Sequence, residues 1–161
     1  MSDRQKPGSV IIGDGNMKVA VALEVIQQLR DLQEKHSFCK ESGGIIAGYY
    51  ENSLGGLKIS DLTFPQAEDV RSRFRFIRKA AGHQDIMDEL WKKSGHKKSY
   101  LGEWHTHNQA NPIPSPIDKL NWKKIAKREQ NFDILYFVIV GTSKIGFWAI
   151  QNSMLKQVDT I

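Results

Sequence analysis

Residues 102–122 read G-E-W-H-T-H-N-Q-A-N-P-I-P-S-P-I-D-K-L-N-W, and this stretch restricts the fold more than any other. His105 and His107 are two apart, so on a strand both side chains point to one face. Ser115-Pro116 reads as a helix N-cap followed by proline at the first helical position. Asp118 then falls in the first turn, aimed back toward the strand end. The chain must therefore run a strand into a short polar loop and a helix, and close all three around one point. Two imidazoles and a carboxylate are three ligands. With water as the fourth, this is the layout of an open, catalytic zinc centre rather than a closed structural one. Each piece has a plainer reading: H-x-H pairs are mostly surface or packed histidines, and Ser115-x-x-Asp118 is a passable capping box. The combination, joined by a loop of seven residues, points to a metal.

The rest of the composition is compatible with that chemistry. A chain of 161 residues suits a single domain, 1–161, with a real core, and the polar residues 1–8 are expected to be disordered. Net charge is +5, from 23 basic and 18 acidic residues. That suits an anionic partner but falls short of a nucleic-acid arm, and we expect no nucleic-acid role. Cys39 is the only cysteine, which excludes an internal disulfide and a cysteine zinc cluster and fits a reducing cytoplasm. Cys39 itself reads as a buried free thiol. The first residues lack the apolar core of a signal peptide, and no run is long enough to span a bilayer.

Taken in order, the pattern predicts strands at 10–12 and 18–21, then a helix over 22–35 with Leu23, Ile26, Leu29 and Leu32 inward. Residues 41–50 and 57–64 read as a hairpin around the turn at 52–56. In 71–76, arginines alternate with Ser72, Phe74 and Phe76, which predicts a strand with aromatics inward and Arg71, Arg73 and Arg75 outward. That strip is either a solvated face or a docking strip for an acidic partner or a substrate. A helix over 80–93 has Ile86, Leu90 and Trp91 as core contacts. The metal strand runs over 100–107, with Leu101 and Glu103 on the histidine face and Trp104 opposite. The helix over 116–129 offers Leu120, Trp122 and Ile125 for burial. Residues 134–140 are almost continuously apolar, which suits a central strand covered on both faces, and 145–151 forms another strand. No element is assigned to the last ten residues.

H-x-H-x7-S-x2-D, with Glu41 in the upstream E-S-G-G-I-I-A-G, resembles the signature of the JAB/JAMM (MPN+) metalloproteases. The wording Y-L-G-E-W-H-T-H, the following P-S and the tryptophan after the aspartate resemble one bacterial branch. These are the JAB isopeptidases encoded beside cyclic-oligonucleotide synthases in CBASS anti-phage operons. The resemblance runs from about residue 17 to 150. Asn108 departs from it, standing where many relatives carry proline, which bears on the loop's shape. The resemblance implies an α/β fold, a mixed, largely antiparallel sheet flanked by helices. It implies Zn2+ held by His105, His107 and Asp118, with Glu41 as general acid and base and Ser115 as an oxyanion donor. From the residues alone, Glu103 is an equal rival for the base or a neighbour that orients an imidazole.

The resemblance further implies a zinc isopeptidase that cleaves after the C-terminal residue of a conjugated protein. The expected substrate is the operon's cyclic-oligonucleotide synthase, attached to targets by a ubiquitin-like E1/E2 system, with the enzyme cytoplasmic. Two other readings use the same residues. One is a JAMM peptidase that trims a small ubiquitin-like or sulfur-carrier protein. The other is a non-catalytic MPN scaffold.

Overall fold

The apolar run at 134–140 needs cover on both sides, and the fold supplies it. In the computed structural model, which describes residues 8–35, 40–129 and 131–161, ten strands and three helices form. They are β1 (Ser9–Ile12), β2 (Val19–Ala22), α1 (Leu23–Lys35), β3 (Gly43–Glu51), β4 (Gly56–Leu62), β5 (Val70–Ser72) and β6 (Arg75–Ile77). There follow α2 (His83–Lys93), β7 (Ser99–Thr106), α3 (Pro116–Arg128), β8 (Ile134–Val140), β9 (Ile145–Gln151) and β10 (Met154–Thr160). Eight strands make one sheet in the order β1-β2-β4-β3-β7-β8-β9-β10. The pairs β2/β4 and β7/β8 are parallel and the others antiparallel. The sheet is curled: Gly13, just after β1, donates to Asp159 on β10 at 2.9 Å. The fold is thus the expected mixed, largely antiparallel α/β arrangement. Among the described residues, no helix is long and apolar enough to cross a membrane.

Two cores lie on the two faces of the sheet. Val25 and Leu29 of α1 pack with Tyr136, Val138 and Val140. Met87 of α2 and Trp122 and Ile125 of α3 pack with Leu135, Phe137 and Ile139. Alternate residues of β8 thus feed different cores, so the strand lacks the apolar–polar alternation of one with a wet face.

The β3–β7 ladder contains a bulge that matters for the site. Ile46 pairs with Gly102 and Ala47 with Tyr100, so Leu101 is the extra residue. The pleat shifts by one there. Leu101 enters the α1 core, and Tyr100 enters the core under α2 and α3. This corrects the expectation that Leu101 shares the histidine face.

Other expectations also change. Residues 71–76 are not one strand; they form the β5–β6 hairpin, with Arg73 and Phe74 at its turn. Phe74 is 78% exposed rather than inward. Helix α2 buries His83 and Met87, while Trp91 is exposed and stacks on His96. Leu120 and Leu23 are exposed. The last ten residues form the edge strand β10, entered through Asn152 and Ser153 with φ of 51° and 63°. The readings of residues 1–7 and of Cys39 fall outside the described residues. Gly8 is held, its carbonyl accepting from Leu23 N at 3.1 Å.

Candidate functional site

His105 lies at the end of β7 and His107 one residue beyond it. His107 N donates to Val140 O at 3.0 Å, which extends the β7–β8 pairing past the strand. Ser115 caps α3 as expected. Its Oγ accepts from Asp118 N at 3.0 Å, and its own N donates to Asp118 Oδ2 at 2.8 Å, a complete capping box. The cap holds the Asp118 carboxylate over the strand end. His105 Nε2 lies 3.4 Å from Asp118 Oδ1, His107 Nε2 3.2 Å from Oδ2, and the two Nε2 atoms 3.0 Å apart. One donor atom from each residue thus falls within 4.8 Å of the others.

The surroundings prepare these atoms for a cation. Gln109 Oε1 faces His107 Nδ1 at 3.2 Å and also accepts from Ile113 N at 3.1 Å. An amide oxygen only accepts, so Nδ1 carries a proton, and Nε2, on the inner side, is the nitrogen that could bind a cation once its own proton is lost. Burial acts to raise the Asp118 carboxyl. Hydrogen bonds from His105 and His107 outweigh it and hold the group well below the usual carboxylate range. Burial disfavours the His107 cation, and Asp118 reverses that, so His107 is raised. A doubly charged metal held by His105, His107 and Asp118 would take the place of those protons.

Glu41 is brought to the same place from 64 residues upstream. Gly43 pairs with His105, and Ser42 exchanges bonds with Thr106: Thr106 N to Ser42 O at 2.9 Å and Ser42 N to Thr106 Oγ1 at 3.0 Å. Continuing that register sets Glu41 opposite His107. Gly43 has to be glycine, because a Cβ there would sit 2.3 Å from the Phe76 ring and 2.8 Å from Trp104 O. The acid is 7% exposed. Burial pushes it up to about 7, His107 draws it down, and Asp118 pushes it up.

Glu41, His105, His107, Ser115 and Asp118 all line one open cleft of about 850 Å³. One wall is the β5–β6 hairpin, including Phe74, Arg75 and Phe76; the other is α3, including Ile117, Asn121 and Lys124. Glu103 also lines the cleft, and its carboxylate is taken up by an ion pair with Arg78. The arginine strip is split. Arg71 turns in to bond Glu41 O at 2.9 Å, Arg73 sits over the Phe74 ring, and Arg75 lines the cleft. Asn108, the departure from the family wording, donates to Arg73 O at 3.2 Å and so ties the loop to the hairpin. Gln109 and Arg78 are site residues that the sequence did not single out, and Arg71 was expected to point outward as part of the arginine strip rather than to hold Glu41. Gln109 lies inside the motif and was open to notice; Arg78 carried no local signal, and the alternation that flagged Arg71 gave it the wrong direction.

The family model described as prokaryotic homologs of the JAB domain matches residues 23–153. A Vibrio cholerae protein named CD-NTase/cGAS isopeptidase is 31% identical over 130 residues, covering 81% of this chain and 79% of its own. An Escherichia coli protein of the same name is 36% identical over 113 residues, covering 70% and 71%. The solution structure of a Desulfitobacterium hafniense protein has the same fold, with a TM-score of 0.55 at 14% identity over 88% of this chain and 90% of that one. The chain belongs to the family of prokaryotic JAB-domain proteins.

Proposed function

We propose that this chain is a zinc-dependent JAMM-type isopeptidase acting on the C-terminal tail of a conjugated protein. The observation that carries the reading is the convergence of His105, His107 and Asp118 with the buried acid Glu41 in one open cleft. Two imidazoles and a carboxylate are the donor set of an open zinc site, and the Gln109 contact orients one imidazole for it. His105, His107 and Asp118 would hold the ion. Zinc bound there supplies Lewis acidity, which acidifies water and polarises a carbonyl.

The chain's own groups do the rest. Glu41 takes a proton from the attacking water and passes it to the amine nitrogen as the C–N bond breaks. A new C–O bond completes the carboxylic acid, and the amine leaves neutral. Ser115 Oγ accepts from Asp118 N, which leaves its own proton free to donate to the carbonyl oxygen as charge develops. An extended tail lies between the hairpin and α3, with small residues beside the scissile bond.

The isopeptidase names of the relatives support the choice of substrate. The tail would belong to a cyclic-oligonucleotide synthase joined to its targets by a ubiquitin-like E1/E2 system in antiviral (CBASS) defence, a cytoplasmic setting. The test is a fusion of the neighbouring synthase to a reporter through its own C-terminus, with mass spectrometry of the products. Release of the intact synthase is the expected result. No cleavage by the zinc-loaded enzyme, together with efficient trimming of a sulfur-carrier protein, would replace this reading.

Ser115→Ala tests whether the cap has a second task. As an oxyanion donor, its loss should raise the barrier by about 3 kcal/mol. As a cap, its loss should cost about 1 kcal/mol of stability. We expect both effects. A lower melting temperature with unchanged turnover would leave only the cap.

A further inference from the structure

The base is held by an element that also forms the cleft wall. Among the described residues, both main-chain groups of Glu41 bond to β5: its N donates to Ser72 O at 2.7 Å, and its carbonyl accepts from Arg71 Nε at 2.9 Å. Arg71 Nη2 also donates to Ser42 Oγ at 2.7 Å and to Lys40 O at 3.4 Å. One guanidinium thus grips residues 40–42 in a fork that an ammonium cannot copy. The hairpin reaches the metal loop as well, through Asn108 Nδ2 and Arg73 O.

The base of the hairpin is locked. Asp69 Oδ1 accepts from Lys79 N at 2.7 Å, which ties its two stems. Asp69 Oδ2 bonds His83 Nε2 at 2.6 Å, and His83 Nδ1 meets Thr63 Oγ1 at 2.7 Å. Thr63 Oγ1 accepts from Ile45 N on β3 at 2.7 Å, and Thr63 O accepts from Trp104 Nε1 on β7 at 2.9 Å. Thr63 and His83 are buried. With the proton on Nε2, every bond in this chain has one donor and one acceptor. The hairpin is therefore carried rigidly on the two strands that hold the site.

We propose that Arg71 is a positioning residue for Glu41, and that the β5–β6 hairpin makes the setting of the base and the shape of the cleft wall a single arrangement. This rests on the isopeptidase reading for its kinetic consequence, though not for its structural one. Arg71 touches neither the metal ligands nor the scissile bond. Its loss lets the main chain at Glu41 drift, and misplacement of a reacting group by about 1 Å can cost 100-fold in rate.

The test compares zinc-loaded wild type, Arg71→Ala, Arg71→Lys and Arg73→Ala on the tail fusion. It adds hydrogen exchange on the metal-free proteins. Arg71→Ala should lose between about tenfold and 100-fold in kcat with KM little changed. Arg71→Lys should recover only part. Because Arg71 is exposed, added guanidinium at millimolar concentration should partly restore Arg71→Ala and leave the wild type unchanged. Amides at 41–44 should lose protection in Arg71→Ala, while those of β8 keep theirs.

Wild-type kcat in Arg71→Ala, or unchanged exchange at 41–44, overturns the proposal. So does an equal rise of KM in Arg71→Ala and Arg73→Ala, which would mean substrate charge only. A kcat loss that merely tracks lost zinc or lost fold overturns it too. If Arg71→Ala does not fold, Arg71→Lys and Ser42→Ala carry the same two readouts. If the wild type cleaves no conjugate, the isopeptidase reading fails, while the exchange result still decides whether Arg71 holds Glu41.

Discussion

Replacing Glu41 by glutamine should lower turnover between about 100- and 10,000-fold, the span of general acid–base catalysis, with zinc still bound. Glutamine keeps the shape of the side chain but cannot take up a proton. His105→Ala is the complementary variant. It removes one of three converging donor atoms, and metal analysis should find zinc and turnover lost together. Full zinc in His105→Ala would sink the ligand assignment. Near-normal turnover in Glu41→Gln, beside a dead but metallated Glu103→Gln, would move the role to Glu103. The geometry argues against that outcome, because the Glu103 carboxylate is already engaged by Arg78, whereas Glu41 is buried opposite His107.

Glu41 also leaves a signature on stability. In the metal-free protein, burial pushes its carboxyl up to about 7 from an ordinary 4.5, against the pull of His107 and with the push of Asp118. The folded value lies above the unfolded one, so the fold favours the protonated acid. The stability it contributes is complete below the unfolded value and is lost as pH rises through the folded one. Metal-free Glu41→Gln should therefore melt above metal-free wild type at about pH 8, with the gap closing toward about pH 5. A thermal scan at the two pH values checks the sign. A wild type that melts higher at the alkaline value would contradict the burial account.

What the sequence made legible follows from distance along the chain. His105, His107, Ser115 and Asp118 lie within fourteen residues, and their spacing encodes a strand, a loop and a helix start directly. Glu41 is 64 residues away, and pattern alone could not rank it above Glu103. The difference between the two acids is one of surroundings. One is buried beside the histidines, and the other is satisfied by Arg78. The double-sided burial of β8 was legible because both of its faces are apolar. The β5–β6 hairpin was not, because Arg73 and Phe74 turn without the glycine, asparagine or proline that marks most turns. The inward turn of Arg71 depends on its partners at 40–42, which no local pattern names. Strand β10 is an edge strand with little burial to pattern it.

The bulge was hidden for a related reason: an extra residue exists only relative to a partner strand. Its glycine yields the largest stability effect we expect. Gly102→Ala should leave the protein unfolded or cost more than about 4 kcal/mol, the size seen when a buried backbone cannot absorb a change. Gly102 has φ of 152°, which side chains rarely allow. A Cβ would stand 1.6 Å from Tyr136 O and 2.7 Å from Tyr136 C. Those atoms are main chain of β8, paired with Gly102 in the parallel ladder, and cannot rotate away as a side chain would. Making room means separating β7 from β8 along the ladder that runs from Gly102 to Thr106 and carries His105. Any folded fraction should therefore bind zinc more weakly as well. Gly55→Ala is the control. Its φ is 63° with nothing within 4 Å of the added carbon, so it should cost only about 1 kcal/mol, the left-handed strain alone. Urea midpoints of the two variants decide the matter. Equal midpoints would show that β8 yields to the new carbon, and that the close approach at Gly102 does not hold the metal strand in place.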